Sequence, residues 1–319
     1  MLMKRFSLIM AVLMLFCIAG CSSKNTNSTP ETQKSSVTFK DDMEREVTVT
    51  NPQRVATLTG SFADVWYLAG GEIVAAPDDA WEDFDLPLSK DTVNLGTVKT
   101  LSLEKLLSAN PDFIIASSNI KIDLDIKQTL ENSKIPVAYF NVSDFNDYLK
   151  MLKICTDITG RADLYQKNGL DVQKHIQSVI KDSEKRVSAE GSPTVLSLRA
   201  SSASIRAKNS KGNVIGEMLK SLGCENIADK NDSLLENLSI EYIIERDPDF
   251  IFIVQMGDDN EGTQKKLSQF IAENPAWNKL KAVKENKVFF MDKHLYNMKP
   301  NARWGEAYEK LEKILNDNK

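Results

Sequence analysis

Two stretches of the chain, residues 101–115 (LSLEKLLSANPDFII) and residues 238–252 (LSIEYIIERDPDFIF), repeat one pattern, with seven identities in fifteen positions. In each stretch a Ser stands where a helix N-cap belongs, apolar residues follow at helical spacing, and a Pro-Asp pair ends the helix before an apolar run. Each copy therefore predicts a short helix, a stop and a buried strand. Because the copies lie about one domain length apart, they predict two similar lobes.

Segments with strand and helix character alternate around both copies. In the first lobe the predicted elements are a hairpin over 37–49 and strands near 54–58, 73–76, 113–117 and 137–141. In the second lobe the predicted strands are 195–199, 250–255 and 287–291. Such alternation is typical of mostly parallel sheets flanked by helices. It predicts an α/β fold of two similar lobes with a ligand cleft between them.

A long stretch without Pro, residues 161–189, falls between the two copies and contains a single Gly, Gly169. Its apolar residues recur at helical spacing, which predicts one continuous helix of about 40 Å. Because this is longer than the packing layer of one small lobe, we interpret it as a rigid interlobe strut. The predicted organisation is an N-terminal α/β lobe over 37–158, an interlobe helix over 159–190 and a C-terminal α/β lobe over 191–319.

The N-terminus, residues 1–20, has the features of a signal peptide, since Lys4 and Arg5 precede an apolar run too short to span a bilayer comfortably. The run ends Ile18-Ala19-Gly20-Cys21, which resembles a bacterial lipobox, in which the sulfur of Cys21 is lipidated. An ordinary secretory signal with an incidental Cys is the alternative. Residues 21–36 are polar and predict a disordered tether. We therefore expect lipid anchoring at the outer face of the cytoplasmic membrane, or at the cell surface in a monoderm.

Composition and motifs favour a binding protein over an enzyme. The formal net charge is −5, with Lys and Glu interspersed, which argues against a nucleic-acid-binding surface. The sequence contains no P-loop, G-x-S-x-G, H-E-x-x-H or C-x-x-C motif. A surface-anchored hydrolase is the alternative from another class. Cys155 and Cys224 lie in apolar helical surroundings, and we predict that they act as small hydrophobes.

The lipobox, the tether, the hairpin, the S-x-E-x-x-x-x-x-x-P-D motif in two lobes and the connecting helix together resemble the substrate-binding lipoproteins of ABC importers for ferric siderophores, haem and cobalamin. Further segments typical of that family are Asn51-Pro52-Gln53-Arg54-Val55, Leu95-Gly96 and Glu225-Asn226-Ile227. The resemblance implies a monomer without an intrinsic cofactor, which captures an iron-siderophore-type chelate and delivers it to a permease dimer. A haem or cobalamin receptor of the same transporter class is the alternative.

A Glu stands two residues after the capping Ser in both copies, at Glu104 and Glu241. The resemblance implies that these two carboxylates, one on the tip of each lobe, form ion pairs with arginines of the permease dimer. Alternatively, each carboxylate serves only to complement the helix dipole, which contributes about 0.3–1 kcal/mol.

Candidate ligand-binding residues come from loops at the C-terminal ends of the predicted strands, where open α/β sheets bind their ligands. The first lobe supplies Ser61, Asp64, Trp81 and Ser118, and the second supplies Arg199, Arg206, Lys208, Tyr296 and Arg303. One side of the predicted cleft is acidic and aromatic, and the other is basic.

Arg199 and Arg206 are the leading pair among these candidates, because guanidinium groups bind carboxylates, catecholates or hydroxamates in a planar fork. Structural or surface roles are the alternative for both. Trp81 offers a stacking face or packs the lobe. Asp64 stands where the first cleft helix of the resembled family commonly carries Glu. His294 could ligate haem or a metal ion, or it could be an ordinary polar loop residue. We assign no metal site. Asn301 is the predicted cap of the terminal helix.

Overall fold

The computed structural model describes residues 36–236 and 238–318. The predicted signal peptide, Cys21 and nearly all of the predicted tether lie outside the described residues. Among the helices of the described ranges, none is long and apolar enough to cross a membrane.

The first lobe carries a two-stranded antiparallel hairpin and a five-stranded parallel sheet in the order β5-β4-β3-β6-β7. Its strands are β1 (Ser36–Lys40), β2 (Glu46–Thr50), β3 (Val55–Thr57), β4 (Ile73–Ala76), β5 (Val93–Asn94), β6 (Phe113–Ser117) and β7 (Val137–Phe140). Its helices are α1 (Gly60–Leu68), α2 (Asp79–Glu82), α3 (Leu103–Ser108), α4 (Lys121–Asp125), α5 (Lys127–Asn132) and α6 (Phe145–Thr159). Strand β6 is buried throughout, as expected of a central parallel strand covered on both faces.

The connection between the lobes consists of α7 (Ala162–Tyr165), a π-helical turn (Gln166–Leu170) and α8 (Asp171–Glu190). These three segments follow one another without a break, so the predicted long helix is present. Helix α8 ends at Gly191, whose φ of 88° is in the left-handed region.

The second lobe carries four parallel strands in the order β10-β8-β11-β12, with β9 paired antiparallel to β8. Its strands are β8 (Thr194–Ala200), β9 (Ile205–Lys208), β10 (Glu225–Asn226), β11 (Phe250–Gln255) and β12 (Val288–Met291). Its α-helices are α9 (Val214–Ser221), α10 (Asp232–Glu236), α11 (Ile240–Arg246), α12 (Asn260–Glu273), α13 (Lys281–Lys284), α14 (Lys293–Tyr296) and α15 (Trp304–Asp317). Short 3₁₀ turns cover Ile227–Lys230, Pro275–Lys279 and Asn301–Arg303.

The duplicated pattern folds as predicted. Ser102 caps α3 by accepting a hydrogen bond from the Lys105 amide at 3.3 Å, and Ser239 caps α11 by accepting one from the Tyr242 amide at 3.3 Å. The strands predicted at 113–117 and 250–255 match β6 and β11 in their bounds. Each lobe is therefore built around the same helix, stop and buried strand.

The C-terminal helix α15 provides a second connection beside the strut, because it packs along α8. Arg186 of α8 donates to both carboxylate oxygens of Glu312, at 2.8 and 3.0 Å, and also to the carbonyl of Leu222. One apolar cluster runs from the first lobe through α8 and α15 into the second, and Trp304 of α15 meets Phe145 of α6 edge to face at 6.3 Å within it. The lobes are thus joined by packed core as well as by the chain.

The π-helical turn corrects the prediction of an uninterrupted strut. Asn168 in this turn is buried, and its Nδ2 donates to the carbonyl of Leu68 at 2.8 Å, while its own carbonyl accepts from the Tyr148 hydroxyl at 2.8 Å. Gly169 lies so close to α6 that an added Cβ would stand 2.8 Å from Cδ1 of Leu149. Because a π-bulge is a recognised bend point, the absence of Pro does not make the helix unbendable.

Candidate functional site

Loops at the C-terminal ends of the strands from both lobes meet across a cleft. On one side, Asn301 Nδ2 donates to the carbonyl of Ser61 and to Oδ2 of Asp64, both at 2.8 Å. On the other side, Lys293 Nζ donates to Oδ1 of Asp83 at 2.8 Å. Both contacts link the second lobe to the first. Asn301 lies just before α15, and Lys293 is the first residue of α14. These contacts show that the two edges predicted to form the ligand site do face each other.

The second lobe contributes a basic face to this cleft. In the β8–β9 pair Arg199 is directly opposite Arg206, and Ser197 is directly opposite Lys208. Directly opposed residues share a face of the sheet, and so do residues two positions apart. The three predicted cations Arg199, Arg206 and Lys208 therefore project from one face, where like charges in opposed positions destabilise the strand pair.

The cations of this face repel one another, and Arg199 and Lys208 are partly withdrawn from water, whereas Arg206 is exposed. Burial lowers the pKa of Arg199, and burial together with the charges of Arg199 and Arg206 lowers the pKa of Lys208. The Arg199 side chain forms no hydrogen bond or ion pair with any residue in the described ranges. An anion bound on this face would supply the missing partner.

Lys299 belongs to the same group, although the sequence did not single it out. Burial, with the nearby charge of Arg199, lowers the pKa of the Lys299 ammonium to about 8, against the opposing charge of Asp147. Lys299 lies in the turn between α14 and α15, where no periodic pattern marks an inward side chain. The sequence feature that could have pointed to Lys299 as a site residue is its position just after the predicted loop of His294 and Tyr296. We refer to Arg199, Arg206, Lys208 and Lys299 together as the basic face.

The first lobe contributes carboxylates near its α1 helix. Burial raises the pKa of Asp64 to about 6, against the stabilising hydrogen bond from Asn301. Burial likewise raises the pKa of Asp79 to about 6, although its carboxylate accepts from the Gly60 amide at 2.9 Å. Gly60 is required at this contact, because a Cβ there would lie 2.6 Å from the backbone nitrogen of Ala80. Asp64 is thus engaged in a bond between the lobes.

The other first-lobe candidates lie on the same side of the cleft. Ser118 follows β6, is half-buried, and donates its amide to the carbonyl of Phe140 at 2.9 Å. Its loop is fixed from behind by Asp123, which accepts from the Ser117 amide at 2.7 Å and whose pKa burial raises to about 7. Trp81 in α2 is half-buried and packs against the apolar cluster that crosses the lobes. Packing therefore uses at least part of the Trp81 ring.

Two second-lobe candidates, Tyr296 and Arg303, have side chains that are engaged elsewhere. The Tyr296 hydroxyl is buried and donates to the carbonyl of Ala307 at 3.0 Å. Arg303 is exposed and forms a two-pronged ion pair with Glu306 of its own helix, at 2.7 and 3.0 Å. His294 is half-buried next to Asp292, which caps α14. In the described residues no group of three or more His, Cys, Asp or Glu side chains could hold a metal ion.

Asn301 does not cap the terminal helix, and that prediction is wrong. Helix α15 begins three residues later, with Arg303 at its N-cap position, and Asn301 lies in a 3₁₀ turn with a left-handed φ of 50°. This backbone conformation suits Asn, which tolerates positive φ better than most side chains. Its fully buried amide instead bridges the lobes, and its Oδ1 has no hydrogen-bond partner among the described residues.

The paired glutamates lie at equivalent, exposed positions of the two lobes. Glu104 and Glu241 occupy the first turns of α3 and α11 and are both exposed. Glu241 also accepts a hydrogen bond from the Ser239 hydroxyl at 3.2 Å. Two similar helices thus present one carboxylate each at corresponding places.

The chain is similar in sequence and fold to known binding proteins. The family model described as "Periplasmic binding protein" matches residues 55–295. The chain is 29% identical to the Fe(3+)-citrate-binding protein YfmC of Bacillus subtilis, over 97% of this chain and 96% of the relative. It is 25% identical to the vitamin B12-binding protein of Pectobacterium atrosepticum, over 67% of this chain and 75% of the relative. The crystal structure of Staphylococcus aureus SirA complexed with staphyloferrin B matches with a TM-score of 0.66 at 22% identity, over 88% of this chain and 98% of that chain. The last likeness shows a shared fold.

Proposed function

The chain belongs to the periplasmic binding protein family, and we propose that it is the member that captures an anionic ferric chelate outside the cytoplasm for an ABC importer. At the coarser level it is a substrate-binding protein of an ABC importer for iron chelates, haem or vitamin B12, and not an enzyme. Its ligand is cargo rather than a cofactor.

The observation that carries this proposal is the basic face. Four cations converge on it, and Arg199 has no counter-ion or hydrogen-bond acceptor in the described part of the chain. A cluster of like charges that is partly withdrawn from water is unfavourable unless an anion joins it. Carboxylate oxygens fit guanidinium groups through two parallel, charge-assisted hydrogen bonds.

A ferric chelate with outward-facing carboxylates supplies this chemistry. Protonated Arg and Lys side chains are donors and cannot ligate iron, so they would contact the outer oxygens of the chelate while the chelate itself holds the metal. The similarity to an Fe(3+)-citrate-binding protein over nearly the whole chain supports the same class of ligand. Trp81 and Ser118 would contribute from the opposite side of the cleft.

Titration of the purified protein with ferric citrate, followed by isothermal calorimetry, tests the proposal. Arg199→Gln should weaken binding by at least about tenfold, because a charge-assisted hydrogen bond is lost from a partly desolvated site. Lys284→Gln serves as the matched control, because Lys284 is an exposed cation of the same lobe on α13. Equal losses in the two variants, or no loss in Arg199→Gln, would contradict the assignment of the basic face.

A haem or cobalamin ligand is the second candidate, favoured by the similarity to the vitamin B12-binding protein. Both ligands carry anionic groups, as propionates or a phosphate, that the basic face could bind. A Soret or corrin absorption band on the gently purified protein would support this candidate over the ferric chelate.

We also propose, from the sequence, how the protein docks to the permease, how it is anchored to the membrane and where its lobes begin and end. Glu104 and Glu241 would contact arginines of the permease dimer, since both are exposed at equivalent positions of the two lobes. Cys21 would carry the lipid that anchors the monomeric chain at the outer face of the cytoplasmic membrane. The lobes would span 37–158 and 191–319 about the interlobe helix of 159–190.

A further inference from the structure

Lys293 is held between carboxylates of the two lobes. Its Nζ donates to Asp83 of the first lobe at 2.8 Å and also to Asp258 of its own lobe. Although burial opposes it, the hydrogen bonds that the Lys293 ammonium donates to Asp258 and Asp83 raise its pKa. The ammonium is therefore charged and shared between one partner across the cleft and one beside it.

The position of these residues puts the contact at the mouth of the cleft. Asp83 directly follows α2, in the loop after β4, and Lys293 is the first residue of α14, just after β12. Asp258 lies in the loop after β11. All three therefore stand at C-terminal strand ends, the edge on which parallel α/β sheets bind ligands. The contact therefore bridges the two lobes on the edge where we propose that the ligand binds.

The two partners of Lys293 differ in their exposure to water. The side chain of Asp83 is 18% exposed and that of Lys293 is 23% exposed, whereas that of Asp258 is 78% exposed. Since exposed ion pairs are weakened by solvent and salt, the pair between the lobes should be the stronger of the two. Asp83 also lies in an acidic loop, where its negative charge raises the pKa of Asp79.

We propose that the Lys293–Asp83 ion pair is a clasp that holds the cleft mouth closed in the ligand-free protein. The clasp connects α14 to the loop after α2, and it opens before a ligand enters. The Asn301 contact to α1 is a neutral amide buried deeper in the junction, and it stays in place as the clasp opens. The clasp concerns the ligand-free fold, so it stands or fails separately from the identity of the ligand.

Hydrogen exchange of the ligand-free protein, measured by mass spectrometry on the full mature chain, tests the clasp. Asp83→Asn removes the charge across the cleft, and the matched control Asp258→Asn removes the other charge from the same ammonium within one lobe. In Asp83→Asn, the amides of Asp83, Phe84 and Leu86, which bond to α2, should exchange about threefold faster, the factor expected for loss of a partly exposed ion pair.

Asp258→Asn should leave exchange in the α2 loop at the wild-type rate. Lys293→Gln provides an independent second variant and should match Asp83→Asn in that loop. Wild-type exchange in Asp83→Asn and Lys293→Gln would overturn the clasp. Equal acceleration in Asp83→Asn and Asp258→Asn would overturn it as well, since that outcome assigns the effect to local charge rather than to a link between lobes.

Discussion

Replacing Asp64 by Asn should stabilise the protein above pH 6, even though Asp64 is hydrogen-bonded at the centre of the lobe junction. Burial raises the pKa of Asp64 from 3.8 to about 6, so the charged carboxylate is disfavoured despite the hydrogen bond from Asn301. The amide that replaces the carboxylate would be neutral at all pH values. Its oxygen could still accept from Asn301 Nδ2, which now donates to Asp64 at 2.8 Å.

The direction in which stability changes with pH follows from the number of protons that the folded and unfolded states bind at Asp64. Between the unfolded pKa near 3.8 and the folded pKa near 6, the folded state binds more protons than the unfolded state, so stability falls as pH rises through this window. The full difference corresponds to roughly 3 kcal/mol at about 1.4 kcal/mol per pKa unit. Because the side chain keeps part of its surface in water, we expect a gain of about 1–2 kcal/mol for Asp64→Asn at pH 7.5.

Urea unfolding at pH 4.5 and 7.5 measures this difference. The stability gap between variant and wild type should be about 1–2 kcal/mol larger at pH 7.5 than at pH 4.5. Asp125→Asn is the control, because Asp125 is exposed and its ion pair within the described residues is with Lys121 of its own helix. A variant that is less stable than wild type at pH 7.5, or a gap independent of pH, would refute the claim that burial dominates at Asp64.

Three other changes have defined outcomes. Gly60→Ala should lower the free energy of unfolding in urea by about 1–3 kcal/mol, because the new Cβ would lie 2.6 Å from the backbone nitrogen of Ala80; an unchanged midpoint would show that α1 and α2 are not tightly packed at this contact. Glu104→Ala and Glu241→Ala should leave ligand affinity unchanged but impair uptake by cells, with the double variant worse than either, and normal transport by the double variant would exclude the docking role. Cys21→Ala should appear in the medium or unprocessed with unaltered ligand binding, whereas membrane recovery without an acyl mass would contradict lipid anchoring.

The duplicated motif predicted much of the fold because its signals are local. A capping Ser, apolar residues at helical spacing and a Pro-Asp stop each act over a few residues, and both copies carry all three. Helix α6, in contrast, was not predicted, although its N-terminus carries a capping box formed by Asp144 and Asp147. The capping box could be read from the sequence, but it lies outside the two copies of the duplicated motif.

The features missed at the site depend on contacts between distant segments. Asn301 looks like a helix cap by sequence, but its side chain crosses to α1 because α15 starts later than the pattern suggests. Lys299 joins the basic face only through the approach of its turn to Arg199. The π-helical turn arises because Asn168 reaches the carbonyl of Leu68, a hundred residues earlier in the chain. Tertiary contacts of this kind leave no periodic signal in a single sequence.

The arginine pair, in contrast, could be predicted. Arg199 ends a predicted parallel strand and Arg206 lies shortly after it, so their placement at a strand end followed from the sheet alone. Their register as directly opposed residues required the structure, since β9 runs antiparallel to β8.

The most direct test of the central claim is the affinity of the wild-type protein for ferric chelates of different charge at one ionic strength. The basic face predicts that anionic ferric citrate binds at least about tenfold more tightly than a neutral ferric trihydroxamate, and that a cationic ferric chelate does not bind measurably. Tryptophan fluorescence quenching or calorimetry can supply all three affinities under the same conditions. Equal affinity for the neutral and anionic chelates, or preference for the cationic one, would contradict the claim that Arg199, Arg206, Lys208 and Lys299 select the ligand by its negative charge.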